Sequence, residues 1–231
     1  MRSEKGRFFL TQTFSWLAHT QVYYFWTMQN IKNIIFDLGG VIMNIDFRKT
    51  EEAFHLLGLE NFADHISQFH ITDLFEKYET GMINDDEFVA GIRELSGKNI
   101  PTDKIIVAWN ALLLDFPPTR IALLKKLKVK YRTFLLSNTN SIHHDEFQAR
   151  LKREQDVYLE DLFEKTYYSH VAKLRKPESA IFELVLIENN LTAAETLFID
   201  DTASNFPQAE KLGIQVYHLK KGMDITEIEF N

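Results

Sequence analysis

From residue 31 onward the apolar and polar positions fall into two regimes. Ile34, Ile35 and Phe36 make a short continuous apolar run that ends on Asp37. Gly39 and Gly40 follow, and Val41, Ile42 and Met43 resume the apolar character. This pattern predicts a buried strand, a charged tip and a turn. Between residues 47 and 114 the apolar positions recur at helical spacing, as in Ala53, Phe54, Leu56 and Leu57 and later in Phe88, Ile92 and Leu95. Pro101, Thr102 and Asp103 mark a helix start, Pro117 and Pro118 close the region, and no strand is expected within it.

After the prolines, helix and strand alternate. Residues 121–127 read as helix and residues 133–136 as a strand running into Ser137, Asn138, Thr139 and Asn140. A polar helix follows, then a further helix over residues 177–188. Residues 196–199 read as a strand ending in Asp200 and Asp201, residues 206–212 as a helix closed by Gly213, and residues 214–217 as a last strand. A strand, a helical insertion and repeated helix–strand units predict an α/β fold, with a parallel sheet and helices on both faces. The expected division is a core over residues 28–46 and 119–231, with an all-helical cap over residues 47–118.

Residues 1–27 fit neither regime. Their aromatics follow basic residues loosely in the manner of a signal peptide. The stretch is interrupted by Thr11, Gln12, Thr13, Ser15, His19, Thr20 and Gln21, and no small-residue cleavage site follows. It is also too short and too polar to span a bilayer. The expectation is a loosely attached extension, or a start placed upstream of Met28; the alternative is a helix packed on the domain through its aromatics.

Composition narrows the function classes. The chain has 231 residues, 45% of them hydrophobic and 13% aromatic, enough for a full core. The formal charge of −7 is spread over interspersed residues of both signs, which argues against nucleic acid as a partner. The absence of cysteine removes disulfides, thiolate metal sites and a cysteine nucleophile. It permits a cytoplasmic location. No glycine-rich dinucleotide fingerprint follows a strand, and no Walker-type phosphate loop is present.

In an open parallel sheet, ligands bind beyond the carboxyl ends of the strands. Three predicted strands end in polar groups: Asp37, then Ser137 with Asn138, then Asp200 with Asp201. Lys176 and Pro177 open a helix between the second and third. Carboxylates gathered at one edge repel unless a cation lies between them, so a hard divalent metal is expected there, with Lys176 suited to a phosphate. Taken singly, each group also has a structural reading. Asp37 suits a turn, residues 137–140 and the Asp200–Asp201 pair suit helix caps, and Lys176 suits an exposed position before a first-turn proline. His143 and His144 resemble a ligand pair but have no carboxylate at metal spacing, and are expected on a solvated helix face or in a supporting position. Phe75 and Tyr78 are expected in core packing or facing the site.

In order, the segments IIFDLGGV, LLSNTN, RKPESAIF and LFIDD resemble the four motifs of the haloacid dehalogenase superfamily, over residues 31–217. The branch that looks most similar comprises sugar-phosphate phosphatases, and the segment YETGMINDDEF resembles a cap-loop pattern of that branch. The resemblance implies a Mg²⁺-dependent phosphatase acting on a small phosphorylated metabolite. Asp37 is then the nucleophile, Ser137 a hydrogen-bond donor to the phosphoryl oxygens, and Lys176 the neutralising cation. Gly39, Gly40 and Asn138 bind substrate. Asp37, the Gly39 carbonyl and Asp201 hold the metal, with Asp200 acting directly or through water. The protein is expected to be a monomer or homodimer without membrane or nucleic-acid partners.

The chain departs from that pattern at three positions. Gly39 stands where relatives carry a general acid, a loss that typically costs about 10²- to 10⁴-fold in rate. A good leaving group is therefore expected, such as an anomeric sugar phosphate, unless Asp46 or the cap supplies a proton. Asn205 replaces a carboxylate and is expected to orient a metal-bound water. Lys173 either adds a cation near the site or points to solvent. The competing functions are a non-catalytic phosphate-binding protein, favoured by Gly39, and a dehalogenase using the same nucleophile.

Overall fold

The computed structural model describes residues 30–59, 62, 66, 67, 70, 71 and 73–230. The N-terminal extension therefore lies outside the described residues. Five strands form one parallel sheet: β1 (Asn33–Phe36), β4 (Arg132–Ser137), β5 (Lys165–Tyr168), β6 (Thr196–Asp200) and β7 (Gln215–His218), in the order β5-β4-β1-β6-β7. β1 lies at the centre, pairing Phe36 with Leu135 on one side and with Ile199 on the other. Every residue of β1 and β6 is buried, as expected of strands covered on both faces.

Alternation along these strands sends side chains to two separate cores. Ile34, Phe36, Leu135, Leu197 and Ile199 join one cluster, while Ile35, Phe134, Leu136 and Phe198 join the other. Helices α5 (Pro118–Lys130) and α6 (Ser141–Gln155) supply the first cluster with Leu124 and Leu127, and with Phe147 and Leu151. Helices α9 (Ser179–Glu188) and α10 (Phe206–Lys211) supply the second with Ile181, Phe182 and Val185, and with Phe206 and Ala209. Each fully buried large side chain is worth roughly 1.5–3 kcal/mol, so the sheet is held from both sides.

Between β1 and α5 the chain runs through α1 (Phe47–Leu56), α2 (Asp73–Glu79), α3 (Asp85–Ser96) and α4 (Thr102–Asn110). Their start signals are local. Asp46 caps α1 through its side chain, and Asn84 and Glu87 form a capping box on α3, which Gly97 ends in the left-handed region. This insertion has its own aromatic core, with Tyr78 stacked on Phe88 at 4.1 Å and Trp109 4.9 Å from Phe88. One expectation fails here: β2 (Ile66–Ser67) and β3 (His70–Ile71) form a two-stranded antiparallel ribbon inside the helical stretch. Strands of two residues are too short to impose a period-two pattern on the sequence. Two short helices were also not anticipated, α7 (Leu159–Leu162) and α8 (Ser169–Ala172), and α9 begins at Ser179, beyond the Lys176–Pro177 turn.

The insertion is tied to the core by a buried polar knot, which corrects the expectation of a solvated histidine face. The ring of His143 stacks on Trp109 at 4.6 Å, and its Nε2 lies 3.0 Å from the Trp109 carbonyl. Asn140 Oδ1 accepts from Trp109 Nε1 and from the His143 amide, which turns the Asn140 NH₂ group toward His143 Nδ1 at 3.1 Å. His143 is therefore a neutral imidazole donating at Nε2 and accepting at Nδ1; a second proton would set one donor against another. Burial pushes its pKa down to about 4 from an ordinary 6.5. The unfolded chain takes up this proton first, so stability falls as pH drops from 6.5 toward 4. The residue should cost about 2 kcal/mol between pH 7 and pH 5. Urea unfolding at the two pH values checks this, and His143→Gln should show a fall smaller by that amount.

Candidate active site

The carboxyl ends of β4, β1 and β6 lie side by side, and the predicted polar groups meet there. Lys176 is buried at their centre. Its Nζ donates to Asp37 Oδ1 and to Asp200 Oδ2, both at 2.7 Å. The ammonium also lies 5.4 Å from the centre of the Phe198 ring. The loop carrying it is pinned by Asn138, whose Oδ1 accepts from the Lys176 amide and whose Nδ2 donates to the Lys176 carbonyl, both at 2.9 Å. Asn138 thus reaches the cavity, but its amide is spent on positioning Lys176.

Asp37, Asp200 and Asp201 each place a carboxylate oxygen within 4.8 Å of the others. Their environments differ. Asp200 is fully committed: Oδ1 accepts from the Thr202 amide at 2.7 Å, while Oδ2 takes Lys176 and Asn205 Nδ2, the latter at 2.9 Å. Asp201 uses Oδ1 on the Thr202 hydroxyl at 3.1 Å and turns Oδ2 toward Gly40. Asn205 lines the same cluster, and its amide nitrogen holds Asp200 in place.

Three carboxylates against one ammonium leave the cluster short of positive charge. Burial pushes the Asp37 pKa up to about 7; Lys176 lowers it, and the charges on Asp200 and Asp201 raise it again. Burial likewise raises Asp201, with Asp200 adding to the shift. Burial works against the Lys176 ammonium, yet the Asp200 and Asp37 carboxylates more than offset it and hold the pKa above its ordinary value. Oxygen donors, converging geometry and excess negative charge together fit a hard divalent cation.

A cavity of about 210 Å³ opens over this cluster, lined by Asp37, Gly39, Ser137, Asn138, Lys176 and Asp201 from the core. Among the described residues the Ser137 hydroxyl makes only a 3.5 Å contact with the Asn138 carbonyl, and it faces the cavity. Phe47, Phe75 and Glu79 enter the same cavity from the insertion, and Arg175 from the core. Phe75 therefore serves both the cavity and the aromatic core. Tyr78 lies in the core, with its hydroxyl donating to Asp85 at 2.8 Å. Glu79 and Arg175 were not singled out from the sequence. Glu79 lies in the YETGM segment and Arg175 beside Lys176, but nothing in the spacing announces that they meet.

Other candidates are placed elsewhere. Asp46 accepts from Arg48 Nε at 3.0 Å and Nη2 at 2.8 Å, which hold its carboxyl below the usual range, and it lines a neighbouring cleft with Arg48 and Arg120. Lys173 donates to the Gly81 carbonyl and braces the insertion against the core. His144 is half-buried on α6, edge-on to Tyr168 at 4.7 Å and 3.5 Å from Asp145.

The comparisons with known proteins agree with this geometry. A family model described as haloacid dehalogenase-like hydrolase matches residues 31–213. The D-ribitol-5-phosphate phosphatase of Bacteroides thetaiotaomicron is 30% identical over 194 residues, covering 84% of this chain and 94% of that protein. A crystal structure of a HAD family enzyme from Bacteroides thetaiotaomicron, a mutant in complex with magnesium and inorganic phosphate, is 39% identical with a TM-score of 0.81, covering 84% of this chain and 96% of that one. A predicted HAD-like family hydrolase from Porphyromonas gingivalis is 29% identical with a TM-score of 0.77, over 84% of this chain and 93% of that one.

The turn after Asp37 offers a direct test of this packing. Gly40 has φ +73°, and a Cβ there would collide with Asp201 Oδ2, whereas a Cβ at Gly39 would meet only the flexible tip of Ile45 at 2.9 Å. Gly40→Ala should cost roughly 1–3 kcal/mol in urea unfolding, and more than Gly39→Ala.

Proposed function

The chain belongs to the haloacid dehalogenase-like hydrolase family, and we propose that it is a Mg²⁺-dependent phosphatase of a small polyol or sugar phosphate, working through an aspartyl-phosphate. The observation that carries this reading is the Lys176 ammonium bridging Asp37 and Asp200 beneath a cavity that Asp201 and Ser137 also line. The relative acting on D-ribitol 5-phosphate and the relative holding magnesium and phosphate support the substrate class and the metal.

In this reading an Asp37 oxygen attacks phosphorus as the bond to the ester oxygen breaks, and the leaving oxygen takes up a proton from solvent water. Water then attacks phosphorus, frees the carboxylate and releases phosphate. Lys176 takes one Asp37 oxygen, leaves the second for attack and offsets charge on the incoming phosphoryl group. Ser137 donates to a phosphoryl oxygen. Asp37, the Gly39 carbonyl and Asp201 would hold the metal, with Asp200 behind them as the anchor of Lys176. The bound cation supplies charge neutralisation for the phosphoryl oxygens. Phosphoryl transfer is mostly positioning and electrostatics, so this set suffices. Residues 47–118 act as the cap, and Phe47 and Phe75 give the cavity an aromatic wall on that side.

Phosphate release should appear with Mg²⁺, disappear with chelator, and fall to background in Asp37→Asn purified in parallel. Metal-independent release, or release that survives the substitution, contradicts the proposal. Across esters of falling leaving-group pKa the rate should climb, because Gly39 donates no proton. A flat kcat at saturating substrate across phenyl phosphate, an anomeric sugar phosphate and D-ribitol 5-phosphate would show that another group supplies it.

A further inference from the structure

The C-terminal end of α2 rests on the core segment that leads to Lys176. Within residues 169–175, three side chains reach across to it. The Ser169 hydroxyl donates to the Glu79 carbonyl at 2.7 Å and accepts from the Thr139 amide at 2.9 Å. Lys173, whose backbone is left-handed at φ +58°, donates to the Gly81 carbonyl. Arg175 sets Nη2 3.0 Å from Glu79 Oε2 and Nη1 3.9 Å from Glu76 Oε1. Gly81, at φ +60°, packs so closely on this segment that a Cβ there would collide with the His170 carbonyl.

The Arg175–Glu79 pair is largely removed from solvent, with the two side chains 16% and 23% exposed. Burial raises the Glu79 carboxyl above its ordinary pKa, although Arg175 beside it works the other way. Such a pair holds its geometry firmly, because water does not compensate a charge that loses its partner there. The next residue is Lys176, whose amide and carbonyl are both clamped by Asn138 at 2.9 Å. Consecutive residues are therefore anchored to different parts of the molecule. The side chain of Arg175 is fastened to the insertion, and the backbone of Lys176 to the loop after β4. Together the two anchors fix the direction in which the Lys176 side chain leaves the backbone to meet Asp37 and Asp200.

We propose that Arg175 is a positioning residue: by pairing with Glu79 it couples the docking of the insertion to the placement of the Lys176 ammonium. The inference rests on the phosphatase reading only for what Lys176 does once placed. It requires no contact between the pair and a ligand, since the two charges are spent on each other. A misplacement of about 1 Å can cost on the order of 10²-fold in rate, even when its origin is remote from the reacting atoms. A latch of this kind therefore acts on kcat and leaves substrate affinity nearly unchanged.

The test compares Glu79→Gln, Arg175→Gln and the double variant with the unsubstituted protein, Mg²⁺ present throughout. Each single variant strands one buried charge and should be less stable in urea. The double variant strands none and should regain most of that stability, which also secures a folded sample should a single variant fail to fold. For release of phosphate from D-ribitol 5-phosphate, kcat should fall at least about tenfold in all three, with KM within about threefold. Hydrogen exchange across residues 174–178 should quicken at least about tenfold in Glu79→Gln and in the double variant, although residue 79 lies in the insertion. A kcat that recovers with stability in the double variant overturns the proposal, because it reduces the pair to a contact of the fold. Unmoved exchange across residues 174–178 in the folded variants overturns it too. So does a raised KM at unchanged kcat, which makes the pair a substrate contact. Phosphate release by the unsubstituted protein is scored separately. Without that release, quickened exchange retains this inference and the phosphatase reading is lost. Release with unmoved exchange does the reverse.

Discussion

The ammonium of Lys176 is the point on which the site depends. It sits with 2% of its surface exposed, between two carboxylates that it meets at 2.7 Å. A buried charge of this kind persists only with full compensation, and removal of one partner from such a group typically costs about 3–5 kcal/mol. The fold provides that compensation by bringing the ends of β1 and β6 together: Asp37 follows one strand and Asp200 ends the other. The helix-entry loop carrying Lys176 is then fastened by Asn138 from the end of β4. Three adjacent strand ends are thus joined through one side chain.

The same arrangement sets the chemistry. One ammonium cannot balance Asp37, Asp200 and Asp201; burial raises the pKa values of Asp37 and Asp201, and the neighbouring carboxylate charges add to the shift. Asp200 is occupied by Lys176, Asn205 and the Thr202 amide, so the carboxylates facing the cavity are Asp37 and Asp201. A divalent cation would complete the charge on that side, while Lys176 completes it on the other. The insertion lines the cavity with Phe47, Phe75 and Glu79, and is held to the core by the Trp109–Asn140–His143 knot.

Much of this was legible from the order of residues. β1, β4 and β6 are continuous apolar runs because they are buried on both faces, and each ends abruptly in the polar residue that forms the site. β5, with the sequence Lys-Thr-Tyr-Tyr, escaped notice because an edge strand tolerates polar side chains. The burial of His143 under Trp109 and the meeting of Glu79 with Arg175 were not legible, because each depends on contacts between segments far apart in the chain. A histidine pair on a polar helix gives no sign that one ring is stacked beneath a tryptophan. Asp46, six residues beyond the second turn glycine, looks like a spare acid until Arg48 is seen to engage its carboxylate. Spacing reports which strand ends carry charge; it does not report which charges are already engaged.

The central claim is that the carboxylate cluster around Lys176 is built for a divalent cation. The most direct measurement is the melting temperature of the protein as a function of Mg²⁺ concentration, beside Asp201→Asn. Binding to the folded state alone stabilises by about 2.7 kcal/mol at a hundredfold excess over Kd. For a chain of this size that corresponds to a rise of roughly 5–10 °C. The account predicts such a rise in the unsubstituted protein, with most of it lost in Asp201→Asn. A melting temperature indifferent to Mg²⁺, or one that rises equally in the variant, would contradict it.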